Sequence, residues 1–285
     1  MTSRIKRLLQ RITDFRPVVH KQVTINVPAE RALLKGRCAL ITGGTSGIGL
    51  SIAKAFAREG AFVIITGRTR ERLDKALDQI SESNACGFVM DNTDVKSFEP
   101  RLTEILESIK LKGENSIDIL VNNAGVNGLR MPHETEEDFN HVIETNLKGT
   151  FFLSQLYGKY LVDNAIKGNI LNIASASSLR PADSAYTLSK WGLRGLTLGL
   201  AKSLGQYGIT VNGIAPGPTA TPMMLNDNNN LNLDRIPLGR YILPEEIASM
   251  AVVLVSDVGR SIMGDLVYMT GGAGNLTYDD VNYSF

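Results

Sequence analysis

The sequence predicts an α/β protein of the doubly wound type, a seven-stranded parallel sheet with helices on both faces. Three observations predict it. Short continuous apolar runs such as Cys38-Ala39-Leu40-Ile41 recur along the chain and alternate with helical stretches. An apolar run of strand length without polar alternation is what a strand buried on both faces of a parallel sheet requires. The first run leads straight into a glycine-rich turn and then a helix, and later runs end in Asp91, Asn122-Asn123-Ala124-Gly125 and Ser175. Strand and helix repeated at this spacing demand right-handed crossovers, so ligand is expected at the carboxyl ends of the strands.

Each element follows from its local pattern. Residues 1–34 precede the first strand and are read as an N-terminal extension. Within it Ile5, Leu8, Leu9, Ile12 and Phe15 have near-helical spacing in a basic stretch ended by Pro17, giving an amphipathic helix that serves as a packing arm, a tail or a weak membrane-surface contact. A single catalytic domain over 35–274 starts with Cys38 to Ile41, and the turn Thr42-Gly43-Gly44-Thr45-Ser46-Gly47-Ile48-Gly49 opens a helix to about Glu59. Glycines there let the backbone approach a pyrophosphate whose charge sits on the helix N-terminus, so the turn points to a dinucleotide. Further strands are expected at Phe62–Thr66, Phe88–Met90, Ile117–Val121, Asn169–Ala174, Ile209–Ile214 and Leu266–Met269. Helices are expected from Arg70, from Glu136 to about Val162, from near Ser184 and near Pro244. The polar stretch Asn226 to Asn232 is either a lid or a surface loop, and 275–285 form a C-terminal tail.

Composition narrows the partners. Thirty basic against 29 acidic residues leave a formal charge of +1, which recommends neither nucleic acid nor an anionic membrane. A hydrophobic content of 43% supports a full core and a small-molecule ligand. Cys38 and Cys86 fall in apolar runs with no paired spacing, which fits a reducing, cytoplasmic setting. No metal site is expected, because His20, His133 and His141 lack ligand spacing and are assigned to structure or surface.

The chemistry is concentrated in Asn169 to Gly195, NILNIASASSLRPADSAYTLSKWGLRG. Tyr186 and Lys190 are four residues apart on the expected helix, hence on one face. A phenol titrates near pH 10, and an adjacent fixed cation favours phenolate, which fits a proton donor and acceptor. The same helix carries Gly192, Gly195 and Gly199, whose small size suits close approach of another helix, from a second subunit or from the same chain.

Together these motifs resemble the short-chain dehydrogenase/reductase family over about Leu34 to Gly272. Thr42-Gly43-x-x-x-Gly47-Ile48-Gly49 matches its nucleotide turn, Asn122-Asn123-Ala124-Gly125 the motif that steadies its central sheet, and Tyr186-x-x-x-Lys190 the centre of its active site. Asn146 in Thr145-Asn146-Leu147 matches the fourth member of the catalytic tetrad, and Pro216-Gly217-Pro218-Thr219-Ala220-Thr221 the segment lying along the nicotinamide and phosphates. The resemblance implies a Rossmann-type fold, hydride transfer between nicotinamide and a carbonyl or secondary alcohol, and a homo-oligomer, tetramer or dimer. Tyr186 would donate the proton, Ser175 hold the substrate oxygen, Lys190 hold the nicotinamide ribose and lower the tyrosine pKa, and Asn146 support a water path. Gly43, Thr45, Ser46, Gly47, Ile48, Gly49, Arg68, Asp91, Asn123, Ala124, Gly125, Pro216, Gly217, Thr219 and Thr221, with Tyr186 and Lys190, would hold the cofactor.

One departure leaves the serine open. In Asn172-Ile173-Ala174-Ser175 the serine stands closer to Tyr186 than is usual, so Ser175 and Ser177 both remain candidates.

Cofactor choice turns on the end of the second strand. An acidic residue there binds ribose hydroxyls and repels a 2′-phosphate, whereas an arginine accepts it. Here the stretch reads Gly67-Arg68-Thr69-Arg70, which favours NADP(H) over NAD(H). Two other classes stay in view, a dinucleotide-binding regulator without turnover and an epimerase or dehydratase. The substrate is open among sugars, sugar acids, 3-oxoacyl groups, steroids and small ketones, with its pocket expected between Val126 and Arg130, Ser177 and Asp183, and Pro222 and Arg240.

Overall fold

In the computed structural model the described residues are 32–80, 84–225 and 230–274. The N-terminal amphipathic stretch, the C-terminal tail and most of the Asn226–Asn232 insert lie outside them. Seven strands run in the order β3-β2-β1-β4-β5-β6-β7, all parallel. They are β1 (Cys38–Ile41), β2 (Phe62–Gly67), β3 (Ala85–Val89), β4 (Ile119–Asn122), β5 (Asn169–Ile173), β6 (Thr210–Pro216) and β7 (Leu266–Met269). The seven α-helices among the described residues are α1 (Gly47–Arg58), α2 (Arg70–Leu77), α3 (Phe98–Lys110), α4 (Glu136–Ile143), α5 (Gly149–Asp163), α6 (Ala185–Leu204) and α7 (Pro244–Val255).

Strand residues alternate between two cores, as a period of two requires. Ala39 and Ile41 pack with Val63, Ile65, Ile52 and Phe56 of α1 and Ile247 and Ala251 of α7. Cys38 and Leu40 face the other way, onto Ile105 and Ile109 of α3 and Leu153, Tyr157 and Leu161 of α5. β1 pairs with both β2 and β4, so successive strands run outward in opposite directions from it. That reversal splays the loops after β1 and β4 and leaves a crevice at the carboxyl ends of the strands.

Strand ends shift by one or two residues in several places, and three larger features depart from the sequence reading. The helix expected from Glu136 to Val162 is two helices joined by a π turn over Glu144–Lys148, which contains Asn146. Helical periodicity cannot mark one extra residue in a turn. β3 spans Ala85–Val89 rather than Phe88–Met90, because it is a half-exposed edge strand whose apolar run is broken by Gly87, packed under Leu73 and Leu77. Helix α3, carrying the buried stripe Phe98, Leu102, Ile105 and Ile109, was not anticipated as an element.

The glycines of α6 divide. A Cβ at Gly192 would stand 2.8 Å from Leu147 of the same chain, so packing within the chain accounts for it, while Gly195 and Gly199 face open space.

Candidate active site

A cleft of about 920 Å³ opens at the carboxyl ends of the strands. Its back wall is the turn after β1. Gly43 and Gly47 adopt φ of +63° and +53°, a left-handed conformation that residues with a Cβ rarely take. Even with that strain tolerated, a Cβ at Gly43 would lie 2.9 Å from Ala124 Cα. Asn123 locks this turn to β4, its Nδ2 donating to the carbonyls of Thr42 and Gly43 at 3.0 Å each. Thr42 Oγ1 accepts from the backbone N–H groups of Asn123 and Ala124 at 3.0 and 3.1 Å. Ser46 caps α1 without a side-chain hydrogen bond, so the first N–H groups of that helix open into the cleft.

Most of the expected cofactor residues line the cleft: Gly43, Thr45, Ser46, Gly47, Ile48, Arg68, Asp91, Asn123, Ala124, Gly125, Pro216, Gly217, Thr219 and Thr221. Gly49 is buried behind it, where a Cβ would meet Asn123 Nδ2 at 2.3 Å and the Gly43 carbonyl at 2.5 Å. Its part is to let α1 press against the turn. These residues fit a dinucleotide in a specific way: the glycines make the room, and the uncapped helix end offers N–H donors for a pyrophosphate.

Arg68, Arg72, Asp91 and His141 also line the cleft. Although burial opposes it, hydrogen bonds from the Thr93 N–H and hydroxyl and the charges of Arg68 and His141 hold the Asp91 carboxyl below its ordinary pKa. His141, expected only at the surface or in a structural role, is therefore part of the cleft wall, and Arg72 was not singled out. Its position on α2 one turn beyond Arg68 was the available signal. Gly67 has no room for a side chain, since a Cβ would stand 2.6 Å from Thr45 Cγ2.

The cleft is also lined by Ser175, Tyr186 and Lys190. Ser184 starts α6 by accepting from the Thr187 N–H, and both carboxylate oxygens of Glu134 accept from the Ala185 N–H at 3.0 Å, favourable at a helix N-terminus. The first turn of α6 is thus fixed where it presents Tyr186. Ser175 ends the β5 segment and accepts from the Ser177 N–H at 3.1 Å, starting a 3-10 turn over Ala176–Leu179. Its hydroxyl faces the Tyr186 phenol and pulls the phenol's pKa down.

The electrostatics differ from the sequence-based expectation. Burial pushes the Tyr186 pKa above 10, with the nearby Ser175 hydroxyl pulling the other way, and burial takes Lys190 from 10.5 to about 8. Desolvation outweighs attraction between the two groups, and Lys190 spends one N–H on the Ile173 carbonyl at 3.0 Å.

Asn146 does not line the cleft. It is fully buried, accepts from the Val126 N–H at 2.8 Å and donates through Nδ2 to the Val126 carbonyl at 2.9 Å and Ser189 Oγ at 3.3 Å. Both amide donors are in use, so the side chain positions the Val126 loop. Beneath the site a buried network runs from Ser154 through Asn122 and Asn172 to Thr197. Asn92, another cleft residue missed in the sequence, donates to the Thr145 carbonyl at 2.7 Å. Its backbone explains Gly149, where a Cβ would lie 2.0 Å from the Asn92 carbonyl.

With this geometry established, comparison with known proteins is direct. Residues 37–232 match the family model for short chain dehydrogenases. The chain is 35% identical over 247 residues to a 3-oxoacyl-[acyl-carrier-protein] reductase (FabG) of Thermotoga maritima, covering 84% of this chain and 98% of that protein. It is 34% identical to glucose 1-dehydrogenase 2 of Bacillus subtilis, covering 84% and 95%. Among solved structures, an actinorhodin polyketide ketoreductase with NADPH superposes with a TM-score of 0.77 at 31% identity, covering 84% of this chain and 97% of that one. The chain belongs to the short-chain dehydrogenase/reductase family. It is accordingly an oxidoreductase of CH–OH and C=O groups that uses a nicotinamide cofactor. No helix among the described residues is long and apolar enough to cross a membrane.

Proposed function

We propose that this chain interconverts a ketone and a secondary alcohol with Tyr186 as the general acid and base, and with NADP(H) preferred to NAD(H). The supporting observation is that Ser175, Tyr186 and Lys190 line one cleft, with the Ser175 hydroxyl facing the Tyr186 phenol. The nicotinamide, when bound, supplies or accepts the hydride. Tyr186, kept protonated by burial, donates to the oxygen as negative charge grows on it. Ser175, rather than Ser177, holds the same oxygen, and such a donor matters most in the transition state. Lys190 binds the nicotinamide ribose and steadies the charge that develops on Tyr186. Asn146 keeps the Val126 loop against the substrate, so proton return by water would have to run through groups other than its amide donors.

Cofactor preference rests on the adenosine end, where Arg68 and Arg72 are exposed to the cleft and position 67 carries no carboxylate. The relatives' names, an acyl-carrier reductase, a glucose dehydrogenase and a polyketide ketoreductase, span dissimilar substrates. Exposed Phe151 and Phe152 on α5 with Leu188, Trp191 and Leu198 on α6 form an apolar face that supports a homo-oligomer, tetramer or dimer, in a cytoplasmic setting where Cys38 and Cys86 stay thiols. Absorbance of the reduced nicotinamide, followed with a panel of ketones and alcohols and both cofactors, tests the reaction. No absorbance change with any pair would refute it.

A further inference from the structure

The arginines that form ion pairs and most of those that line the cleft are different residues. Arg37, Arg70, Arg101, Arg240 and Arg260 each pair with a carboxylate away from the cleft, and Arg130, at its rim, pairs with Asp183 at 3.2 Å. Arg68, Arg72, Arg180 and Arg235 line the cleft and make no ion pair among the described residues. Arg180 closes the turn that Ser175 begins, and no carboxylate other than Asp91 lines the cleft among the described residues.

Arg180 differs from a solvated surface cation in how it is held. Its N–H donates to the Ser177 carbonyl at 3.1 Å, closing the 3-10 turn that Ser175 begins. Its carbonyl accepts from the indole N–H of Trp191 on α6 at 2.8 Å. Pro181 follows, fixing the next φ. The backbone of this residue is therefore tied on one side to Ser175 and on the other to the helix that carries Tyr186. The side chain is half-buried, and its planar fork of donors has no hydrogen-bond or ion-pair partner among the described residues. A guanidinium carried on a backbone held in this way matches a carboxylate or phosphate bidentately without a loop having to be ordered on binding.

We propose that the substrate carries an anionic head group, a carboxylate or a phosphate, and that Arg180 binds it while the carbonyl carbon sits at Ser175 and Tyr186, with Arg235 adding to the positive field. This rests on the ketone–alcohol reading and goes beyond it in naming the substrate class. Neutral sugars and steroids are thereby excluded as preferred substrates.

Trp191 is the sole tryptophan of the chain, so its fluorescence reports on the Arg180 segment without turnover. The full-length protein with NADP⁺ is titrated with four- to six-carbon oxo acids, their methyl esters and a phosphorylated ketone, and kcat/KM is measured for the same set with NADPH. A charge-assisted pair is worth about 1.5–3 kcal/mol, so an anionic form is expected to bind about ten- to a hundredfold more tightly than the ester. Arg180→Gln should reduce that ratio to about one, and Arg180→Lys, which keeps the charge without the fork, should retain part of it. Preference for the oxo acid identifies a carboxylate and preference for the phosphorylated ketone a phosphate, either one supporting the proposal when it depends on Arg180. Equal binding of anion and ester, a preference unchanged in Arg180→Gln, or no fluorescence response to any of them would overturn it. Arg180-dependent binding without nicotinamide oxidation would instead strike at the redox reading, whereas ester turnover with no anion preference would leave that reading standing and sink this one. Near-ultraviolet circular dichroism of both variants verifies that the fold is kept.

Discussion

The ammonium of Lys190 lies 5.5 Å from the centre of the Tyr186 ring, one helical turn away, and is tethered to the Ile173 carbonyl on the strand that carries Ser175. Helix α6 and strand β5 are thus joined beside Tyr186, the proposed proton donor. Tyr186→Phe removes the proton and almost no volume. Turnover should fall by at least about 10²-fold while cofactor affinity, measured by fluorescence titration, stays near the wild-type value. Retention of more than about a tenth of the rate would show that another group does the proton transfer.

Burial makes the charge of Lys190 costly for folding. Its folded-state pKa, about 8, lies below the ordinary 10.5, so between those values the unfolded chain holds the extra proton and wild-type stability rises with pH. Lys190→Met should therefore be more stable than wild type below about pH 8, by up to about 3 kcal/mol at 1.4 kcal/mol per unit, less the lost bond to Ile173. The advantage should shrink as pH climbs toward 10.5, and the variant should be inactive. Denaturant unfolding of both proteins without cofactor at pH 7 and pH 10 measures this. A Met variant less stable than wild type at pH 7 contradicts it.

Arg68→Ala should lower kcat/KM for NADPH about ten- to a hundredfold and leave NADH nearly unchanged, since only the former loses a charge-assisted bond. The check is both cofactors on one ketone. Equal values for the two in the wild-type protein would remove the reason for the assignment.

Gly49→Ala offers a test in which two effects oppose. Alanine favours a helix over glycine by about 1 kcal/mol. Here its Cβ must displace Asn123 and the Gly43 carbonyl, an overlap that costs about 1–3 kcal/mol or more. The melting temperature should fall and cofactor binding weaken, as read by thermal denaturation with and without NADP⁺. A rise in melting temperature would mean that the turn yields more easily than its contacts imply.

The sheet was legible because each central strand is buried on both faces, so an unbroken apolar run such as Cys38–Ile41 carried the whole signal. Tyr186, Lys190 and the glycine turn were legible because their spacing is local. Three things were not. The π turn that sets Asn146 is one residue in a helix of otherwise ordinary periodicity. The roles of Asn92 and His141 depend on β3 and the loop after β4 meeting across the sheet, which no short-range pattern records. The Tyr186 pKa depends on how much water is removed, and a sequence gives charges without burial.

The contact between positions 45 and 67 bears on how cofactor preference can change over generations. An aspartate at 67 would be the simplest route toward NAD(H), but its Cβ would arrive 2.6 Å from the Thr45 methyl. The two sites are epistatic. Thr45 must shrink or swing away first, a step with little selective reward of its own, before an acid at 67 becomes tolerable. A lineage carrying this pair is held near its present preference by the order of its available mutations, and a library that varies the two codons together should reach variants that single substitutions miss.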